Sequence, residues 1–134
     1  MYKEHSPKIL IIESQIIIAA DVSLQFSKLG YEVIGICSKV ADAMKTIEAN
    51  RPDIILMNIG IQEKPNRFDM ACIIMDTFQV PVVFLSSNTD KNTFKQAIAV
   101  QPYAFIPKPF DKKDLQRGIE TALYRMTGER LRGK

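Results

Sequence analysis

The chain has 134 residues, of which 46% are hydrophobic and 25% charged, and this length suits a single domain. The composition excludes a largely disordered chain, a collagen-like repeat and a coiled coil as the main state. No apolar run of about 18 residues is present, so we expect no transmembrane helix, and the charged N-terminus MYKEHSPK predicts no secretory signal.

The formal net charge of +3 is concentrated at the C-terminal end. Residues 125–134 hold four basic side chains and one acidic one, whereas the two charges balance over residues 1–124. We therefore predict a neutral domain over 1–124 and a basic tail or linker over 125–134. A short basic tail is more typical of a solvated end than of a nucleic-acid interface.

The cysteines and the histidine point away from metal and nucleophilic chemistry. Cys37 and Cys72 are too few for a disulfide framework or a zinc site, and we interpret both as buried, reduced structural thiols. The single histidine, His5, lies near the N-terminus, which disfavours a Ser-His-Asp or Cys-His enzyme.

Five short apolar runs, each bounded by proline, glycine or polar residues, predict five β-strands. Their apolarity is continuous rather than alternating, which indicates burial on both faces and therefore a parallel sheet covered by helices. The runs lie at residues 8–13, 31–37, 53–58, 80–85 and 103–106.

Amphipathic stripes between the runs predict five helices. Gly30 should end the first, and Ser38 can cap the second. The third carries an apolar stripe from residue 68 to residue 75. The fourth should begin at Thr89 or Asp90.

The last two helices have defined apolar faces in this prediction. Phe94, Ala97 and Ile98 should face inward from the fourth. The fifth should begin at Asp111, with Asp114 three residues on, and should end at Gly128.

The order of elements is (βα)5, which predicts a parallel sheet with helices on both faces. Ligands of such sheets bind beyond the carboxyl ends of the strands. That rule selects a small set of polar residues: Glu13, Ser14, Asn58, Ser86, Ser87 and Lys108.

The chemistry of this set disfavours a nucleotide or metal site. A magnesium site usually uses several carboxylates, and Glu13 is the single acid at the strand ends. No glycine-rich phosphate loop follows the first strand.

The sequence resembles the receiver domain of two-component response regulators over residues 8–123. The stretches that carry the resemblance are KILIIES, SKLGYEVIGICSKVADAMKTIEANRPDIILMN, VPVVFLSSNTD and FIPKPFDKKDLQRGIETAL. The resemblance implies a flavodoxin-like (βα)5 fold with strand order 2-1-3-4-5, a cytoplasmic signalling protein that is not an enzyme, and a sensor histidine kinase or other signalling protein as its partner.

The resemblance assigns roles position by position. The family phosphorylates an aspartate at the end of the third strand, where this chain has Asn58. Two acids after the first strand hold magnesium in the family, and here they correspond to Glu13 and Ser14. Ser86 and Lys108 match the residues that contact the phosphoryl group.

Two further positions complete the comparison. Phe105 matches the aromatic residue that moves on activation in the family. The loop after the acceptor normally ends in a glycine, and in this register Arg67 takes that place after residues 64–66.

These departures predict a receiver that is not phosphorylated. An amide does not attack a phosphodonor as a carboxylate does, and the loss of two of three carboxylates removes the charges that hold magnesium. We therefore expect no magnesium, no other cofactor and no acyl phosphate, and a role as a protein-interaction module. We also expect Lys108 to pair with Glu13 or with the amide oxygen of Asn58.

Two alternatives stay open. The chain can be a conventional phospho-accepting receiver with an engineered Asp-to-Asn block at residue 58, or a flavodoxin-like enzyme. The resemblance further implies possible homodimers through the fourth helix, fifth strand and fifth helix. It implies no membrane contact, and nucleic-acid contact only through an effector domain that lies outside this sequence.

Overall fold

A computed structural model describes residues 6–59, 67–86 and 91–131, with side chains up to residue 129. All five predicted strands and all five predicted helices are present. The strands are β1 (Lys8–Ile12), β2 (Glu32–Cys37), β3 (Ile54–Asn58), β4 (Val82–Ser86) and β5 (Ala104–Pro107). The helices are α1 (Ile16–Lys28), α2 (Val40–Ala49), α3 (Arg67–Phe78), α4 (Lys91–Val100) and α5 (Lys112–Leu131).

The five strands form one parallel sheet in the order β2-β1-β3-β4-β5, which confirms the predicted flavodoxin-like fold. Strands β3 and β4 lie inside the sheet and are buried along their whole length. This burial explains their uninterrupted apolar sequences, since a strand covered by helices on both faces has no side that faces water.

Two apolar cores lie on opposite faces of the sheet. One is built largely from α2, α3 and α4, and the other from α1 and α5. Gly118 of α5 packs closely on the sheet, because a Cβ atom there would lie 2.5 Å from Cδ1 of Ile106. The two layers cover both faces of the sheet, which leaves the strand ends as the place for a site.

The predicted start of α5 is confirmed by reciprocal hydrogen bonds. The backbone N–H of Asp111 donates to the Asp114 carboxylate at 3.0 Å, and the N–H of Asp114 donates to the Asp111 carboxylate at 2.9 Å. Each carboxylate thereby satisfies a backbone N–H at the helix start that has no partner within the helix.

Gly30 lies just after α1 with φ +96°, as expected of a residue that ends a helix. The predicted cap at Ser38 is wrong. The N-cap of α2 is Lys39, and no side-chain hydrogen bond caps this helix. Residues 89 and 90, at which the sequence predicts the start of α4, lie outside the described residues.

The predicted end of α5 at Gly128 is wrong, because the helix continues to Leu131. The boundary predicted at residue 124 falls inside this helix. Arg125 joins the last turns of α5 to the segment just before β5. Its Nη1 donates to the backbone carbonyls of Pro102 at 3.3 Å and Tyr103 at 2.9 Å. The guanidinium also stacks over the Tyr103 ring.

The predicted inward face of α4 is right for Ala97 and wrong for its neighbours. Ala97 is fully buried, whereas Phe94 and Ile98 are 49% and 47% exposed. The reason is the position of α4 beside β5, which is the edge strand of the sheet. The Phe94 ring contacts the Phe105 ring edge-on, with centroids 5.4 Å apart, at the surface.

Candidate functional site

The carboxyl ends of β1, β3 and β4 bring three predicted site residues together. Glu13, Asn58 and Ser86 are 3%, 2% and 2% exposed. The residues after β1 and β3 are still held by the neighbouring strand: the N–H of Glu13 donates to the Cys37 carbonyl at 2.9 Å, and that of Ile59 donates to the Leu85 carbonyl at 3.0 Å. These polar side chains therefore stand on a fixed backbone.

Glu13 and Asn58 form a buried pair. The Nδ2 of Asn58 donates a hydrogen bond to Oε1 of Glu13. The other carboxylate oxygen, Oε2, accepts the backbone N–H of Gln15 at 3.0 Å. Both oxygens of Glu13 are thus engaged by donors of the chain, which is the arrangement expected when a single carboxylate is buried.

Arg67 completes the site and is 3% exposed, although it begins α3. Its Nη1 donates to the carbonyl of Asn58, and its Nη2 lies 3.4 Å from the carbonyl of Ser38. The sequence showed Arg67 as a departure from the family pattern but gave no indication of these contacts. The feature that could have indicated a buried arginine is its place in the sequence: Arg67 stands where the family normally has glycine, shortly after the end of β3.

Other predicted residues lie outside this buried cluster. Ser14 is exposed. Lys108 is tied to the site through its backbone, whose N–H donates to the Ser86 carbonyl at 2.9 Å, while its side chain is exposed. Both carboxylate oxygens of Glu13 are engaged by Asn58 and by the backbone of Gln15 rather than by Lys108. A pair of Lys108 with the amide oxygen of Asn58 stays a prediction. Ser87 lies outside the described residues.

Phe105 is half-buried and packs against Phe94.

The thiols differ in burial: Cys37 is buried as predicted, but Cys72 is only partly buried. Burial raises the pKa of the Cys72 thiol, and the carboxylates of Asp76 and Asp69 raise it further. The thiol therefore stays protonated at neutral pH, which disfavours redox chemistry.

The cluster does not suit a divalent metal ion. Magnesium takes oxygen ligands and favours carboxylates, yet both Glu13 oxygens accept hydrogen bonds and the neighbouring groups are an amide and a guanidinium. Over residues 6–59, 67–86 and 91–129, no three histidine, cysteine or acidic side chains come together as metal ligands would.

The chain matches the model of the response regulator receiver domain over residues 9–120. It is 31% identical over 126 residues to the phyllosphere-induced regulator PhyR of Methylorubrum extorquens, covering 93% of this chain and 46% of PhyR. It is 26% identical to the transcriptional regulatory protein PdtaR of Mycobacterium tuberculosis, covering 88% of this chain and 57% of PdtaR. The chain thus spans about half the length of these relatives.

Solved structures of receiver and response regulator domains superpose well on this chain. The signal receiver domain of a modulated diguanylate cyclase from Desulfovibrio desulfuricans superposes with a TM-score of 0.84 at 30% identity, covering 92% of this chain and 98% of that one. The N-terminal domain of a response regulator/sensory box/GGDEF protein from Carboxydothermus hydrogenoformans gives a TM-score of 0.80 at 28% identity, covering 91% and 98%. No helix in the described part of the chain is long and apolar enough to cross a membrane.

Proposed function

The chain belongs to the response regulator receiver domains of two-component signalling, and we propose that it is a member that acts through protein contacts without accepting a phosphoryl group. The observation that carries this proposal is the buried hydrogen bond from the Asn58 amide to the Glu13 carboxylate. The acceptor position holds an amide and no carboxylate, so it has no carboxylate oxygen on which an acyl phosphate can form.

Three site residues besides Asn58 favour a pocket that has lost its function naturally over an otherwise active receiver with one blocked position. Ser14 replaces a second acid, Arg67 replaces a glycine, and Lys108 is exposed beside the buried cluster. An engineered change of one aspartate accounts for Asn58 alone. We therefore favour a natural pseudo-receiver over an engineered block, and a role other than enzymatic.

Incubation with acetyl phosphate and magnesium, followed by intact-mass spectrometry, tests this function. We expect the wild-type mass to stay unchanged. A stoichiometric gain of one phosphate, mapped to Glu13, Asn58 or Ser86, would contradict the proposal. A conventional receiver treated in parallel shows that the donor is competent.

The exposed apolar residues of α4 suggest where protein contacts form. We propose that Phe94, Ile98 and Phe105, with the neighbouring part of α5, make the surface used for self-association or for a signalling partner. Apolar side chains at the edge of a sheet gain about 25 cal/mol for each Å² that a partner removes from water.

Sedimentation velocity at rising protein concentration tests the self-association form of this proposal. Ile98→Glu should lower the association constant. The matched control is Leu24→Glu on α1, which places the same charge on an exposed leucine of the opposite layer. Equal effects of the two variants would count against the α4 surface. A location in the cytoplasm, with a sensor kinase as one partner, stays a prediction.

A further inference from the structure

Glu13 and Arg67 are the two charged side chains that are buried within the part of the chain that the structure describes. Arginine is rarely buried unless its guanidinium is paired, because removal of its charge from water is costly. Asn58 contacts both charged groups. Its side-chain amide donates to the Glu13 carboxylate, and its backbone carbonyl accepts from the Arg67 guanidinium. The pocket therefore contains one negative charge, one positive charge and a polar group in contact with both.

The position of the guanidinium follows from the topology. β1 lies between β2 and β3, and two strands on either side of a third are about 10 Å apart. Arg67 contacts the carbonyl of Asn58 at the end of β3 and that of Ser38 just after β2. The guanidinium therefore lies between the ends of β3 and β2, the two strands that flank β1.

We propose that the guanidinium of Arg67 is the resident cation of this pocket, held over the end of β1 in place of a divalent metal ion. The inference concerns the same pocket as the proposed function and rests on it. A fixed positive charge neutralises Glu13 without any ion from solution. It also repels a metal ion that approaches the same carboxylate.

This proposal predicts that the loss of carboxylates explains only part of the weak magnesium binding, and that the positive charge of Arg67 explains the rest. Ser14→Asp with Asn58→Asp restores three acids at the strand ends but leaves the guanidinium in place. Magnesium should bind this double variant weakly. Additional replacement of Arg67 by Met, which keeps most of the length of the side chain and removes its charge, should strengthen magnesium binding roughly tenfold or more.

The experiment is calorimetric titration of magnesium into the double variant, and into the same variant with Arg67→Met or Arg67→Lys. Arg67→Lys keeps a positive charge and is the matched control. The expected result is tight binding with Met and weak binding with Lys. Equal binding by the Met and Lys variants, or by the double variant itself, would overturn the proposal.

A double-mutant cycle in the otherwise native chain keeps the test informative if the multiple variants do not fold. Glu13→Gln and Arg67→Met should each lower the urea midpoint, because each leaves a buried charge without its counterpart. The variant that carries both changes should lose clearly less than the two single losses combined. Additive losses would overturn the proposal.

The outcomes also separate this inference from the proposed function. Phosphate uptake by the wild-type chain would contradict the function whatever the Arg67 variants do. No uptake by the wild type, together with equal magnesium binding by the Met and Lys variants, would leave the function standing and remove the role assigned to Arg67.

Discussion

The side-chain amide of Asn58 donates to the carboxylate of Glu13 in a pocket where both side chains are almost completely buried. An aspartate at residue 58 would instead bring two carboxylates into contact. Two acids in such a place repel, and the pKa of at least one rises. The amide is therefore an acceptable partner for Glu13 without any metal ion, whereas the acid that the family places there is not.

Asn58→Asp should lower the free energy of unfolding by about 2 kcal/mol at pH 7 without metal. Because the pKa of a carboxyl in the folded variant is raised above its unfolded value near 4, the penalty appears as pH rises above about 4 and is absent below it. Urea unfolding between acid and neutral pH measures this. Asn58→Ala, which removes the hydrogen bond but adds no charge, should show a loss that does not vary over that range.

The free energy of unfolding should also depend on pH through Asp111. Its pKa is held below the usual value, chiefly because its carboxylate accepts the backbone N–H of Asp114. A lowered folded pKa means that the stabilisation is present above the unfolded pKa near 4 and is lost as pH falls through the folded value.

Asp111→Asn tests this relationship, since asparagine caps helices but carries no charge. The variant should be less stable than the wild type at pH 7, and the difference should shrink below about pH 4. Asp76→Asn, at an exposed position inside α3, is the control. A difference that stays constant down to strongly acid pH would contradict the assignment.

Gly118 tests the close packing of α5 on the sheet. Alanine favours a helix by up to about 1 kcal/mol over glycine, but its Cβ would lie 2.5 Å and 2.8 Å from Cδ1 and Cγ1 of the buried Ile106. We expect Gly118→Ala to lower stability by about 1 kcal/mol. Thr121→Ala, at an exposed position of the same helix, should be neutral or slightly stabilising. A stabilising Gly118→Ala would show that Ile106 moves aside easily.

Two glutamines at helix ends offer a gain in stability. Gln79 and Gln101 follow α3 and α4 with φ angles of +56° and +60°, a conformation that glycine adopts without strain. Gln101→Gly should raise the free energy of unfolding by about 0.5–1 kcal/mol, measured by urea unfolding. The control is Asn50→Gly, since Asn50 ends α2 with φ −150°, where glycine brings no relief. An equal gain at both positions would contradict the explanation.

The strands could be predicted because β3 and β4 are buried on both faces and therefore have continuous apolar runs. Their order was implied only by the resemblance to receiver domains. It predicted the start of α5 because Asp111 and Asp114 act locally. It did not predict the end of α5, since Gly128 lies in a helix that is held from outside by the contacts of Arg125 with Pro102 and Tyr103.

The polar cluster was predicted in part. Glu13, Asn58 and Ser86 were selected because parallel strands end at one edge of a sheet. The burial of Arg67 was not predicted, because it depends on carbonyl groups of two distant strand ends. The exposure of Phe94 and Ile98 was also missed, since periodicity shows which residues share a helix face but not whether another element covers that face.

The central claim is that the pocket accepts neither magnesium nor a phosphoryl group, and an NMR titration of the ¹⁵N-labelled wild-type protein tests it most directly. Magnesium with beryllofluoride, a mimic of the phosphoryl group, would be added while the backbone signals of Glu13, Asn58, Arg67 and Phe105 are followed. We predict that these signals stay at their positions. Saturable shifts at Asn58 and Phe105, absent when either magnesium or beryllofluoride is omitted, would contradict the account.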